Sequence, residues 1–429
     1  MKRKLLLLCA LLLAGLTAFS QRTTVLDEVR ADYAKAAGVE GIYPMTDVAL
    51  TPAPKGYEAF YIAHYGRHGS RYAWRDKPYT QLIELLEKAK VDSTITPFGE
   101  RFLDSLKVAL DKVKPHIGTL TDLGWEQHKF IGTKMVRDFP SVFKKGSVVD
   151  AVSSPSMRCV LSMSSCCLAI QKAAPQASVT EHQRRSDLQA TRPGDKNNPK
   201  RYKGPKTVFP VKMSNDDFLE MTYPEYRQII ARLVTNPDEA LKGKSTAGFM
   251  YELCTLAFGQ PNLPESDRIN TDSLITRQEI AALFESGNYN QFKGFLKVRT
   301  DGCGIVDDIV DKANVRIASG FRGADLRFGH DSYILSTLLV MNLDGFGTEP
   351  SSPKDVAHWF QLFRSPMAAN IQYVFYKPVK NKKGDILVKV LLNGEEVSVG
   401  QLDKVSGPYY KWDDVAKYLR SRTDIFVDR

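Results

Sequence analysis

The run HYGRHGSRY, residues 64–72, concentrates two histidines and two arginines in nine positions. Because like charges repel, a plain surface loop has no need of them, and the cluster favours an anionic ligand. Arginine binds phosphate oxygens in bidentate fashion and stays charged, and a neutral imidazole can attack phosphorus. The run therefore predicts a phosphate site in which Arg67 and Arg71 bind the phosphoryl group and a neighbouring imidazole, such as that of His68, can attack it.

Two later motifs would complete such a site. Arg158, in SSPSMRC, lies near the start of a predicted helix, whose N-terminal amides also attract anions. In GHDS, His330 can contact the phosphoryl group, and the carboxylic acid of Asp331 can protonate the departing oxygen. Taken alone, Arg158 is typical of a surface or ion-paired residue, and His330-Asp331 of a loop histidine beside a helix cap. Together with the first motif they predict phosphoryl transfer that needs no metal and no cofactor.

Each motif follows a predicted strand. The strands are expected over residues 57–65, over 147–153, and at ADLRFG, which ends at Gly329. Ligands of open α/β sheets bind beyond the carboxyl ends of the strands, so we expect the three motifs to meet at one edge of a sheet. The other histidines lack such a context and are interpreted as structural, with His64 the one exception left open. They are His64, His116, His128, His182 and His358.

Strand and helix patterns alternate at both ends of the chain, with a helical block between them. Two amphipathic patterns that break near Thr96-Pro97 predict a helical insertion near 76–118. Residues 175–215 are polar and rich in proline, which favours a long loop or connector. The pair Thr276 and Glu279 predicts a capping box for a helix of the central block. The sequence therefore predicts an α/β class protein, with a mainly parallel sheet flanked by helices and a helical cap. The predicted domains are an α/β catalytic domain of 21–174 and 298–429 and a mainly helical cap of 175–297.

The N-terminus has the pattern of a secretory signal peptide. Basic residues precede an apolar run from Leu5 to about Leu16, and small residues fit a cleavage site before Gln21. We therefore predict that residues 1–20 are removed and that the protein is periplasmic or secreted, with no stable membrane anchor. Loss of the three basic residues of this segment lowers the formal charge from +10 to +7. That charge favours anionic ligands, but no basic helix or arginine-rich arm indicates nucleic acid.

The motifs resemble those of the histidine acid phosphatase family. The family signature, Arg-His-Gly-x-Arg-x-Pro followed by a third arginine and a late His-Asp, corresponds here to RHGSRYA, SSPSMRC and GHDS. The segments LTDLGWEQHKFIG and VKVLLNGEEV are also similar to family segments, so that the resemblance covers most of residues 57–429. It implies a phosphoglycerate-mutase-like fold in which Arg67, Arg71, Arg158 and His330 bind phosphate. It also implies that His68 is the nucleophile and Asp331 the general acid.

Within the family, RHGSRY and MRCVLS are most similar to the multiple inositol polyphosphate phosphatases, which act on phytate and related compounds. Two positions depart from the patterns. Ala73 replaces the signature proline, and His330-Asp331 stands where this branch usually has His-Ala-Glu. The predicted function is a secreted phosphomonoesterase that forms a phosphohistidine, with inositol polyphosphates among its small-molecule substrates.

Three alternatives stay open at the level of the sequence. One is a broad-specificity acid phosphatase that acts on sugar phosphates. The second is a transferase of the phosphoglycerate mutase type, against which the export signal argues. The third is a phosphate-ester-binding protein without turnover, which would have no need of an acid at Asp331.

Overall fold

A computed structural model describes residues 25–198, 202, 213–295, 300–380 and 384–426 of the 429-residue chain. The predicted signal peptide and its cleavage site before Gln21 lie outside these residues. Among the described residues, no helix is both long and apolar enough to cross a bilayer.

The described strands form one sheet in the order β3-β2-β4-β1-β5-β6-β7, with β8 paired to β6. Strands β3, β2, β4 and β1 run parallel, and β5 to β8 extend the sheet beyond β1 with antiparallel pairs. The predicted fold class is confirmed. The strands are β1 (Tyr57–Arg67), β2 (Val148–Ser153), β3 (Ser178–His182), β4 (Gly323–Gly329), β5 (Asn370–Pro378), β6 (Leu387–Leu392), β7 (Glu395–Val397) and β8 (Tyr410–Lys411).

Helices cover both faces of the sheet and supply its core. The described α-helices are α1 (Val25–Ala31), α2 (Lys77–Val91), α3 (Pro97–Val113), α4 (Asp122–Asp138), α5 (Met157–Ala173), α6 (Leu188–Thr191), α7 (Asn215–Thr222), α8 (Tyr226–Ala231), α9 (Pro237–Leu241), α10 (Thr246–Gly259), α11 (Arg277–Phe295), α12 (Asp301–Ala318), α13 (Asp331–Met341), α14 (Val356–Trp359) and α15 (Trp412–Phe426). A 3₁₀ segment, Tyr33–Glu40, precedes β1, and shorter 3₁₀ turns connect several of the helices.

Strand β1 lies in the interior of the sheet, and this explains its composition. From Ala59 onward all of its residues are buried, as expected for a strand covered on both faces. Ile62 packs in the apolar cluster of α4 and α5, whereas Tyr61 and Tyr65 pack on the opposite face with α12, α13 and α15. The strand is therefore buried from Ala59 to its carboxyl end at Arg67.

The predicted helical insertion packs against the central helical block. Leu82, Leu86 and Leu106 of α2 and α3 share one apolar cluster with Ile230 and Leu253 of the block. The predicted capping box is confirmed, since the Thr276 amide donates to the Glu279 carboxylate at 2.8 Å and the Glu279 amide donates to Thr276 Oγ1 at 3.3 Å. The domain boundaries at 174 and 298 stay predictions.

The prediction of a long loop or connector over 175–215 was wrong for its N-terminal part. Residues Ser178–His182 form β3, and Leu188–Thr191 form the short helix α6. Strand β3 pairs in parallel with β2, from Val148 opposite Ser178 to Val152 opposite His182. A short edge strand is difficult to predict from sequence, because its formation depends on pairing with the neighbouring strand more than on its own residues.

Two buried histidines, His64 in β1 and His128 in α4, are expected to make the fold less stable in acid. The rings of His64 and His128 lie 5.2 and 5.6 Å from that of Phe328. Burial, helped for His64 by the nearby charges of His128 and Arg327, lowers the pKa of both imidazoles to about 3. The unfolded chain therefore binds more protons than the folded chain between pH 6.5 and 3. The free energy of unfolding falls as the pH is lowered through this range.

We expect the His128→Asn variant to lose part of this acid sensitivity. Each such histidine makes the free energy of unfolding fall by on the order of 1.4 kcal/mol per pH unit below pH 6.5. Urea unfolding between pH 7 and 4 should give a shallower pH dependence for the variant than for the parent. Replacement of the exposed His116 by Asn is the matched control and should leave the slope as it is. Equal slopes for parent and His128→Asn would contradict the prediction.

Candidate active site

Arg67 ends β1 with its side chain fully buried. Its Nη1 donates hydrogen bonds to the carbonyl oxygens of Val39 and, at 2.9 Å, of Ser365. Within the described residues Nε and Nη2 have no hydrogen-bond partner, and Nη2 lies 4.0 Å from Asp331 Oδ2. The backbone therefore fixes one nitrogen of the guanidinium and leaves two N–H-bearing nitrogens for a ligand.

His68 is held on both sides by backbone hydrogen bonds. Its amide donates to Gly329 O at 3.0 Å, and its carbonyl accepts from the Ala368 amide at 2.9 Å. The imidazole is 1% exposed, and its Nδ1 lies 2.9 Å from Gly69 O. Because a carbonyl only accepts, Nδ1 carries the proton and Nε2 carries the lone pair.

The charge state of His68 follows from its surroundings. Burial, and then the positive charges of Arg67, Arg71 and Arg158, lower the pKa of this imidazole well below 6.5. It therefore stays neutral in acid solution, and its Nε2 remains available as a nucleophile.

Two glycines allow the loop after His68 to lie directly on the start of α4. A Cβ at Gly69 would come within 2.4 Å of Gly124 O, and one at Gly124 within 2.2 Å of Ser70 O. Gln127 binds the loop through two hydrogen bonds to Ser70. Its Oε1 accepts from the Ser70 amide at 2.8 Å, and its Nε2 donates to Ser70 Oγ at 2.9 Å. This close approach accounts for a glycine in both RHGS and LTDLG.

Arg71 has a buried acidic partner that the sequence analysis missed. Its Nη2 donates to Glu40 Oε1 at 3.1 Å, and the two side chains are 5% and 10% exposed. The segment Tyr33–Glu40 thus supports both arginines of the loop, Arg67 through Val39 O and Arg71 through Glu40. Glu40 lies 31 residues before Arg71 without any motif, so no local pattern could have identified it.

Arg158 and His330 face each other across the site. Arg158 is in the first turn of α5, and its Nη2 lies 3.4 Å from His330 Nδ1. The rings of His330 and His68 lie 5.7 Å apart, edge to face. Burial, followed by the charge of Arg158, lowers the pKa of His330 to about 3, so this imidazole is neutral as well.

Asp331 is the first residue of α13, and its side chain is 32% exposed. Burial alone would raise the pKa of its carboxyl group, but the charges of Arg67 and Arg71 outweigh burial and lower it. Asp331 is therefore a carboxylate when the site is empty. A bound phosphate dianion would offset the arginine charges and favour the protonated form.

The sheet brings all six predicted site residues together. Strand β4 lies between β1 and β2, Arg67 is opposite Gly329, and Ser153 is opposite Phe328. The carboxyl ends of three adjacent parallel strands thus meet, as the sequence predicted. The arrangement offers three guanidinium groups, two neutral imidazoles and one carboxylate around a common space, a combination suited to a phosphate ester. The described residues contain no group of three or more metal-ligating side chains.

No family model matches the chain, and no curated protein matches it in sequence. Solved structures do match its fold. A multiple inositol polyphosphate phosphatase from Bifidobacterium longum, in complex with inositol hexasulfate, superposes with a TM-score of 0.69 at 15% identity, over 92% of this chain and 98% of that one. The phytase from D. castellii superposes with a TM-score of 0.64 at 14% identity, over 91% of this chain and 85% of that one. The chain thus has the fold of multiple inositol polyphosphate phosphatases and phytases, and the fold that the resemblance to the histidine acid phosphatases implied is confirmed.

Proposed function

We propose that the protein is a histidine-type acid phosphatase that hydrolyses phosphate monoesters through a phosphohistidine at His68. One observation carries the proposal. His68 is buried and neutral, its Nδ1 proton is directed to Gly69 O, and its Nε2 is left for attack among the charges of Arg67, Arg71 and Arg158.

The first step transfers the phosphoryl group to the protein. The three guanidinium groups bind the phosphoryl oxygens, and the Nε2 lone pair of His68 attacks phosphorus. A bond from Nε2 to phosphorus forms while the bond from phosphorus to the ester oxygen breaks. Asp331, protonated in the complex, gives its proton to that oxygen, and the alcohol leaves.

The second step returns the protein to its starting state. Water attacks the phosphohistidine, and the carboxylate of Asp331 accepts a proton from it. The bond from phosphorus to Nε2 breaks, His68 regains its lone pair, and inorganic phosphate leaves. Because positive charge comes from the arginines, these steps need no metal ion.

Inositol polyphosphates are the substrate class that we propose. The structurally similar Bifidobacterium longum phosphatase has been crystallised with inositol hexasulfate. A chain of formal charge +7 after loss of residues 1–20 would attract such highly charged anions. The segments RHGSRY and MRCVLS favour the same branch, whereas His330-Asp331 departs from it and keeps broad action on sugar phosphates as the second candidate. The apolar N-terminal run supports export to the periplasm or the medium.

We expect the protein to release phosphate from phytate, and we expect this activity to persist after treatment with a chelator. The mature chain would be dialysed against EDTA and assayed with phytate, a sugar phosphate and p-nitrophenyl phosphate. Turnover should be unchanged by EDTA, because the clamp of Arg67, Arg71 and Arg158 supplies the positive charge. The catalytic efficiency for phytate should equal or exceed that for the sugar phosphate.

Other results would separate the alternatives. Activity that vanishes with EDTA and returns with zinc or magnesium would rule out the metal-free mechanism. An efficiency for phytate far below that for the sugar phosphate would favour the broad phosphatase. Phosphate binding without turnover would indicate a binding protein. Transfer of the phosphoryl group to a sugar phosphate in preference to water would indicate a mutase-type transferase.

A further inference from the structure

Ser154 lies behind His330, on the side away from Arg158. Its Oγ is 2.9 Å from His330 Nε2, and it is fully buried. The backbone fixes it, because the Ser154 amide donates to Phe328 O at 2.9 Å. The Ser156 amide also donates to Ser154 Oγ, at 3.4 Å. The hydroxyl thus accepts one hydrogen bond from Ser156 and can still donate its own proton. The nearest partner for that proton is His330 Nε2.

His330 is neutral, so it carries one proton, and the two possible tautomers have different consequences. If Nε2 carries the proton, Ser154 Oγ must accept from both His330 and Ser156. The serine proton is then left with the sulfur of Cys159, a weak acceptor whose own thiol donates to Gly329 O at 3.1 Å. This tautomer would leave a buried hydroxyl poorly satisfied, which is costly.

If Nδ1 carries the proton, Ser154 donates to Nε2 and still accepts from Ser156. The Nδ1 proton of His330 then points toward Arg158 Nη2, 3.4 Å away. Two donors that face each other at this distance are both satisfied only by a shared acceptor. A phosphoryl oxygen between them would be such an acceptor.

We propose that Ser154 is a positioning residue that donates its hydroxyl proton to His330 Nε2 and thereby places the imidazole proton on Nδ1. His330 and Arg158 then bind the same oxygen of the ligand. The identity of that ligand as a phosphoryl group rests on the proposed function, and the Nδ1 tautomer is expected when a phosphoryl oxygen lies between Arg158 and His330.

The tautomer can be read directly from the ¹⁵N chemical shifts of the imidazole in protein labelled at histidine. The His330 signal would be assigned by its loss in the His330→Gln variant. Parent, Ser154→Ala and Ser154→Thr would be compared at saturating inorganic phosphate, and the Kd of inorganic phosphate would be measured for each by calorimetry. Ser153→Ala is the matched control, because Ser153 Oγ is buried next to Ser154 and makes no hydrogen bond within the described residues.

In the parent, we expect the proton on Nδ1. In Ser154→Ala the hydroxyl that donates to Nε2 is gone, so part of the imidazole should carry its proton on Nε2, and phosphate should bind about tenfold more weakly. Ser154→Thr, which keeps the hydroxyl, and Ser153→Ala should behave as the parent. A proton on Nε2 in the parent would overturn the proposal without any variant, as would a Ser154→Ala variant indistinguishable from Ser153→Ala. An Nδ1 proton in a protein that hydrolyses no phosphate ester would refute the proposed function and leave the role of Ser154 in place.

Discussion

Replacement of His68 by alanine is expected to abolish turnover of every phosphate ester while the protein stays folded and binds phosphate. The loss should be at least about a thousandfold, as is usual when a nucleophile is removed. Folding should survive, because among the described residues the side chain makes one hydrogen bond, to Gly69 O, while the backbone bonds to Gly329 and Ala368 do not depend on it. Binding should survive because Arg67, Arg71 and Arg158 remain.

The covalent intermediate gives this prediction its sharpest readout. A ³²P-labelled ester, mixed with the parent and quenched rapidly under denaturing conditions, should leave label on a peptide that contains His68. His68→Ala should take up no label. The control is His64→Asn, which alters a buried imidazole of β1 whose ring lies 5.2 Å from that of Phe328. This control should label normally, and a folded His68→Ala variant with substantial turnover would eliminate the mechanism.

The residues of the candidate site could be predicted because their signals are local. Arg67, His68 and Arg71 lie within five positions at the end of β1 and in the loop after it, and each of the other two motifs directly follows a strand pattern. The expectation that the motifs meet came from the rule that ligands bind at the carboxyl ends of parallel strands. The order of the strands is given by the structure. The adjacency of β1, β4 and β2 then brought the three motifs together.

The residues that position the side chains of the candidate site could not be predicted in the same way. Glu40 is joined to Arg71 only by the path of the chain around the sheet, and Ser154 meets His330 only because β2 pairs with β4. Strand β3 likewise depends on β2 for its partner. Each of these contacts is long-range and involves a common residue type, so that nothing within a short window marks it.

In the proposed mechanism, the pH dependence of turnover is set by two opposing requirements. His68 must be neutral to attack, and its pKa, lowered well below 6.5 by burial and by the arginines, meets this requirement far into acid. Asp331 must be protonated to help the alcohol leave, and its pKa is lowered in the empty site. A bound phosphate dianion raises it again. For alkyl phosphates, kcat should therefore fall as the pH rises through the pKa of Asp331 in the complex, which gives an optimum in acid.

The Asp331→Asn variant should show a loss that depends on the leaving group. An inositol or sugar alkoxide is a poor leaving group that needs the proton of Asp331, so hydrolysis of alkyl phosphates should slow by about a hundredfold or more. Nitrophenolate leaves without a proton, and its ester should lose much less. The descending limb of the pH profile for alkyl esters should also disappear.

A matched control for this variant is available at the edge of the site. Asp195→Asn removes a carboxylate that pairs with Arg192 at 3.3 Å, and it should affect both kinds of ester equally. Binding of inorganic phosphate to Asp331→Asn should be kept or strengthened, because a negative charge 4.0 Å from Arg67 Nη2 is gone. Equal losses on alkyl and aryl esters, with an unchanged pH profile, would remove Asp331 from the role of acid. The proton would then have to come from another carboxyl group near the clamp, and Glu40, held 3.1 Å from Arg71, would be the next to replace.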